Sequence, residues 1–184
     1  MKRSLLAVAL SGMALVSLPF AARAQVSTIA KPFQFGIAAG AALPMSTLSD
    51  FYQTEFNGTV TVGLHPQMIP LGIRVDGAYN QFSAKTGTLG GSVHIASVTG
   101  NLVYSIPSEI VAPYLIGGAG LYNAPIVISP LGSSGTNNKF GWNIGGGIKM
   151  PLSGFDTFLE ARYNQVQGNG VSFKFIPITF GVMF

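Results

Sequence analysis

The chain has 184 residues, of which 48% are hydrophobic and only 9% charged, with no cysteine and a formal net charge of +4 at neutral pH. The missing thiols exclude disulfides, thiolate metal sites and a cysteine nucleophile, and the charge content lies far below the roughly one quarter usual in a soluble domain. Yet no apolar stretch beyond residue 24 approaches the roughly 20 residues of a spanning helix, so the composition points to a chain that crosses a membrane with strands rather than to a secreted β-sandwich, which turns a polar face outward.

The first segment reads as an export leader. Met1-Lys2-Arg3 is a basic start, an apolar run follows over 5–20, and Ala22-Arg23-Ala24 forms an Ala-x-Ala cleavage site before Gln25. Residues 1–24 are therefore expected to be a signal peptide, the alternative being an uncleaved anchor. Three of the ten Lys and Arg residues (Lys2, Arg3, Arg23) would leave with it, and the remaining seven face six acids. A nearly neutral mature chain gives no basis for nucleic-acid binding, which needs clustered basic residues. A polar periplasmic lead over 25–32 is expected, then one barrel domain over 33–184.

Eight strands follow in order. The first, over 33–43, alternates Phe33, Phe35, Ile37 and Leu43 with small or polar residues, and after a long loop over 44–56 the second, over 57–65, sets Val60, Val62 and Leu64 against Thr59, Thr61 and Gly63. A short turn over 66–70 leads to the third, over 71–82, where Leu71, Ile73, Val75 and Tyr79 face one side and Arg74, Asp76 and Asn80 the other. The fourth spans 91–106, the fifth 113–123, the sixth 139–152, the seventh 157–167 and the eighth 173–184. In the fifth, the run from Tyr114 to Tyr122 does not reveal which face meets lipid. The last strand is the clearest: Ile176, Ile178, Phe180, Val182 and Phe184 share one face at period two.

The fold class expected is thus all-β, an eight-stranded antiparallel up-and-down transmembrane barrel. The connections over 66–70, 107–112 and 153–156 are short, whereas those over 44–56 and 124–138 are long. Short turns face the periplasm in bacterial barrels and longer loops face the exterior. On that assignment Phe33, Tyr104, Tyr114 and Phe184 form an aromatic girdle at the periplasmic rim. Tyr79, Phe82, Tyr122, Phe140, Trp142, Tyr163 and Phe173 form another at the outer rim.

Alternation also sends charges inward. Arg74 and Asp76 on the third strand and Glu160 and Arg162 on the seventh lie four strands apart in a ring of eight, so they are expected to pair across the lumen as a polar plug. Lys149 on the sixth strand is expected to join them.

Here the chain resembles the small eight-stranded outer-membrane β-barrels of the OmpA/OmpX/OmpW type, the porin-like outer membrane β-barrel domain group. The residues that carry the resemblance are the Gly-rich stretch from Gly36 to Leu43 followed by Pro44, Pro113-Tyr114-Leu115-Ile116-Gly117-Gly118-Ala119-Gly120, Gly141-Trp142-Asn143-Ile144-Gly145-Gly146-Gly147 and the terminal Phe184. The resemblance implies location in the bacterial outer membrane of a Gram-negative envelope, with outer-membrane lipid and lipopolysaccharide as surroundings. It also implies periplasmic chaperones and the barrel-assembly machinery as partners in biogenesis, the latter reading Phe180, Val182 and Phe184.

Candidate chemistry is sparse, and no cofactor or metal is expected. The glycine clusters over 117–120 and 145–147 lack the following helix that a phosphate loop requires. They read better as inward small residues that leave room for bulky ones. The only histidines, His65 and His94, fall on strands at opposite ends of the barrel and make no metal pair. Ser92 with His94 resembles the pair used by lipid A-deacylating barrels, but no carboxylate or oxyanion donor can be assigned. Asp50 and Glu55 read as solvated loop acids, the tract over 133–138 as an exposed connection, and Asn57-Gly58-Thr59 as an incidental sequon. The expected role is a monomeric, non-enzymatic structural or surface-interaction scaffold. A narrow channel for small solutes or hydrophobic compounds is the second reading and a lipid A-modifying enzyme the third.

Overall fold

The computed structural model describes residues 33–66, 69–85, 93–108, 110–123, 138–167 and 172–184. The expected signal peptide over 1–24, the expected lead over 25–32, Ser92 and residues 124–137 lie outside them. Strands β1 (Phe33–Met45), β2 (Glu55–Leu64), β3 (Leu71–Phe82), β4 (Val93–Ser105), β5 (Ala112–Asn123), β6 (Asn138–Pro151), β7 (Asp156–Val166) and β8 (Phe173–Met183) are joined in sequence order, with a short helix α1 (Thr47–Phe51) between β1 and β2. Every neighbouring pair is antiparallel, and β1 closes on β8 from Gly36↔Met183 to Met45↔Lys174. Closure satisfies the backbone groups that an open edge would leave in hydrocarbon.

The amino-acid pattern is inside out. Ile37, Val60, Val75, Val98, Leu115, Ile144 and Phe180 are exposed, whereas Asn57, Thr61, Arg74, Asp76, Asn101, Asn143 and Glu160 are buried. A soluble domain buries the first set and solvates the second. In a membrane barrel the outward row meets acyl chains and the inward row fills the lumen.

Strand β5, whose face is ambiguous by sequence, turns Tyr114, Ile116 and Tyr122 inward and Leu115 and Leu121 outward. The reason lies on the neighbouring strand. A Cβ on Gly147 would stand 2.6 Å from the Tyr114 ring and one on Gly141 would stand 2.7 Å from the Tyr122 ring, so the β6 glycines open the space into which both tyrosines turn. This corrects the rim assignment of Tyr114 and of Tyr122, which is only 1% exposed. Phe82, at 0% exposure, also belongs to the interior. Phe173 is half-buried against an interior apolar cluster that includes Phe82, Tyr122 and Phe175.

The connection over 44–56 is more ordered than an open loop. β1 runs on to Met45, α1 follows, and β2 begins at Glu55. Leu48 anchors α1 by entering an apolar cluster with Ala42, Phe82, Ile95, Tyr122, Val166 and Phe175. Backbone bonds from Gln53 to Ser83 (3.0 Å) and from Lys85 to Phe51 (2.9 Å) tie this connection to the one after β3.

Two ends can therefore be distinguished. The loop end carries α1 and the apolar cluster. The turn end carries Phe33, Phe184 and the connections β2–β3, β4–β5 and β6–β7. Strand β8 contains Pro177, which has no N–H to donate. The β7–β8 ladder is interrupted there, running through Ala161↔Ile178 and resuming at Asn164↔Phe175. Within β7 the Asn164 side-chain amide donates to the Arg162 carbonyl at 3.3 Å.

Candidate functional site

At mid-height the lumen is crossed by charged groups from β3 and β7. Period two puts Arg74 and Asp76 on the inward row of β3 and Glu160 and Arg162 on that of β7. Arg74 Nη2 lies 2.6 Å from Glu160 Oε2, and Arg74 Nε 3.1 Å from Asp76 Oδ1. Arg162 Nη1 lies 2.7 Å from Asp76 Oδ2, and its Nε donates to Glu160 Oε1. Each guanidinium thus touches both carboxylates. The four charges close a neutral ring of ion pairs.

Neutral donors complete the ring. Tyr114 Oη donates to Glu160 Oε2 at 2.8 Å, and Asn101 Nδ2 to Asp76 Oδ2 at 2.9 Å. Asn143 Nδ2 donates to Asn101 Oδ1 at 2.9 Å, carrying the network across to β6. Nearer the loop end, Asn57 donates to Asn80 at 2.6 Å and Tyr122 to Asn164 at 2.9 Å. Such donors help to offset the desolvation of each charge, which costs several kcal/mol, while the buried Asn143 Oδ1 and Thr61 Oγ1 have no hydrogen-bond partner. The asparagines are legible as inward positions of their strands, but their linkage depends on which strands face one another.

Lys149 stands apart from this ring. Its Nζ is 3.4 Å from Asp156 Oδ2 near the turn end, so the expectation that it joins the four charges is corrected. Register explains the separation. Gly147, not Lys149, is opposite Glu160, while Lys149 is opposite Phe158, two residues or about 7 Å nearer the turn end.

The remaining candidates fall on the outer surface. Phe180, Val182 and Phe184 share the outward row of β8, and Phe184 is tied to β1 by reciprocal backbone bonds with Phe35 of 2.8 and 3.1 Å. Phe33 and Tyr104 are exposed at the turn end. Tyr79, Trp142 and Tyr163 face outward nearer the loop end, with the Trp142 and Tyr163 rings 5.6 Å apart. Tyr79 Oη is 2.7 Å from His94 Nδ1, and the two rings stack. Among the described residues no three His, Cys, Asp or Glu side chains form a group able to hold a metal ion.

Above the polar ring the loop-end cluster fills the lumen, with Phe82 and Phe175 packed edge to face at 5.6 Å. Sequence reasoning missed this plug. Its signal was the apolar residue at the loop-end position of several inward rows: Phe82, Ile95, Tyr122, Val166 and Phe175.

A family model for the outer membrane protein beta-barrel domain matches residues 8–184. No curated protein matches the chain. Among solved structures, Neisserial surface protein A is similar at a TM-score of 0.65 and 18% identity, over 83% of this chain and 96% of that one. The attachment invasion locus protein Ail of Yersinia pestis aligns at a TM-score of 0.49 and 22% identity, over 84% and 100% of the two chains. The N-terminal barrel domain of Pseudomonas aeruginosa OprF aligns at 0.49 and 15% identity, over 82% and 97%.

Proposed function

We propose, from the premise that the chain belongs to the outer membrane protein beta-barrel domain family, that it serves as a non-enzymatic scaffold of the bacterial outer membrane rather than as a channel. The observation that carries this reading is the filled lumen. The ring of Arg74, Asp76, Glu160 and Arg162 crosses the barrel at mid-height, and the Phe82–Phe175 cluster with Leu48 of α1 closes it toward the loop end. An eight-stranded barrel leaves an interior just wide enough for side chains, and here two successive layers occupy it.

A rigid closed cylinder then holds the loop-end connections at the outer face, where interaction with the surroundings takes place. Among the described residues the lipid-modifying reading has no constellation to support it. His94 has Tyr79 on its Nδ1, and no described carboxylate is in place to orient it. The test is conductance of the refolded chain in planar bilayers. Silence is expected from a protein that passes the heat-modifiability test for folding. Discrete single-channel steps would replace this reading with the channel.

A further inference from the structure

Pro177 interrupts β8 at a position whose backbone should donate to β7. In an antiparallel sheet, alternate residues of one strand direct their backbone groups to opposite neighbours. Phe184 exchanges both backbone bonds with Phe35 of β1, so the even-numbered residues of β8 bond toward β1 and the odd-numbered ones, Pro177 among them, face β7. The register is constant from Asp156↔Met183 to Val166↔Phe173 and sets Arg162 opposite Pro177, yet no pairing is made there. The Arg162 carbonyl has lost its cross-strand donor.

The chain itself replaces that donor only in part. The Asn164 side-chain amide reaches the carbonyl at 3.3 Å, just beyond the usual N–H···O range, and a carbonyl oxygen has a second lone pair to fill. Acyl chains on the outer wall offer no donor. The lumen can. On that side of the break lies a cavity of about 20 Å³, between the charge ring and the apolar cluster. Arg162, Asn164, Pro177 and Thr179 line it at the seam, and Asp76 and Thr99 line it from β3 and β4. A single water needs about 10–15 Å³ and two to four polar partners, so this polar space fits a water and nothing much larger. Asp76, Thr99, Asn164 and Thr179 are all buried, which secludes the site from bulk solvent.

We propose that this cavity is an internal hydration site whose water donates to the Arg162 carbonyl, standing in for the N–H that Pro177 lacks. The water's other hydrogen and its lone pairs are served by the carboxylate, amide and hydroxyl groups around it. A bridging water is nearly as good a partner as a direct bond. The inference goes beyond the scaffold reading and does not need it, since a closed barrel and a conducting one must both satisfy this seam. It also accounts for a proline in a strand that has a neighbour on each side, where proline is otherwise disfavoured.

The test is a crystal structure of the refolded full chain at a resolution that shows ordered waters, paired with amide hydrogen exchange in lipid nanodiscs. Density for a water within hydrogen-bond distance of the Arg162 carbonyl is expected. Pro177→Ala returns the missing donor, so the water should leave that carbonyl, and the new amide at position 177 should exchange at least tenfold more slowly than an unprotected one. If Pro177→Ala fails to fold, water–protein Overhauser spectroscopy on the unaltered chain serves instead, with a long-lived contact expected between water and the Asn164 side-chain amide. An empty cavity, a water that does not touch the Arg162 carbonyl, no such contact, or a folded Pro177→Ala protein whose new amide is unprotected would each overturn the proposal.

Discussion

The two ends of one lumen are built on different principles. At the loop end Phe82, Ile95, Tyr122, Val166 and Phe175 pack as a small apolar core with Leu48 above them. At the turn end His65 and Lys149 line an open mouth, and Lys149 pairs with Asp156. The ring of four charges separates these regions. The difference teaches that a barrel interior of this size need not be read as a single pore or a single core. It is a stack of layers, each with its own requirement: dry packing at one end, complete charge pairing in the middle and access to water at the other.

The middle layer should be the most sensitive. Glu160→Ala removes the partner of both guanidiniums and of Tyr114, and a buried pair broken from one side costs about 3–5 kcal/mol. Urea unfolding in lipid vesicles should show that loss, and Glu160→Ala with Arg74→Ala should recover part of it. Additive losses in the double mutant would mean that the four charges do not act as a unit.

The next test sets one end against the other. Phe82→Ala empties a fully buried aromatic site and should cost about 3 kcal/mol. Lys149→Ala, which removes a partly exposed ion pair, should cost about 1 kcal/mol or less. The same unfolding measurement checks both. Equal losses would erase the distinction between a packed end and an open one.

The smallest expected effect is a pH dependence at the turn end. His65 has a folded pKa below its ordinary value of 6.5, so the unfolded chain takes up the proton first. The stability linked to this group is present above that ordinary value and is lost as pH falls through it toward the folded pKa. The unfolding midpoint should therefore drop from pH 7.5 to 5.5, and His65→Gln should flatten part of that drop. An unchanged slope in the variant would remove His65 from the account.

Much of this arrangement was legible because period two is a local property. The outward row Ile176, Ile178, Phe180, Val182 and Phe184 and the inward pairs on β3 and β7 follow from counting along one strand. What escaped is non-local. The direction of Tyr114 and Tyr122 depends on Gly147 and Gly141 of the adjacent strand, and the height of Lys149 depends on the β6–β7 register. Helix α1 has five residues, too few to display a helical period, and one side chain, Leu48, holds it to the plug.

Pro177 has a mechanical consequence. The interrupted ladder leaves β8 attached to β7 by two separate lengths, six paired residues from Asp156 to Ala161 and three from Asn164 to Val166. Like a zip with a missing tooth, the seam divides any peeling of the last strand into a long step from the carboxyl end and a shorter one beyond the proline. The Asn164 side chain bonds back to the Arg162 carbonyl within β7 and leaves that gap unbridged.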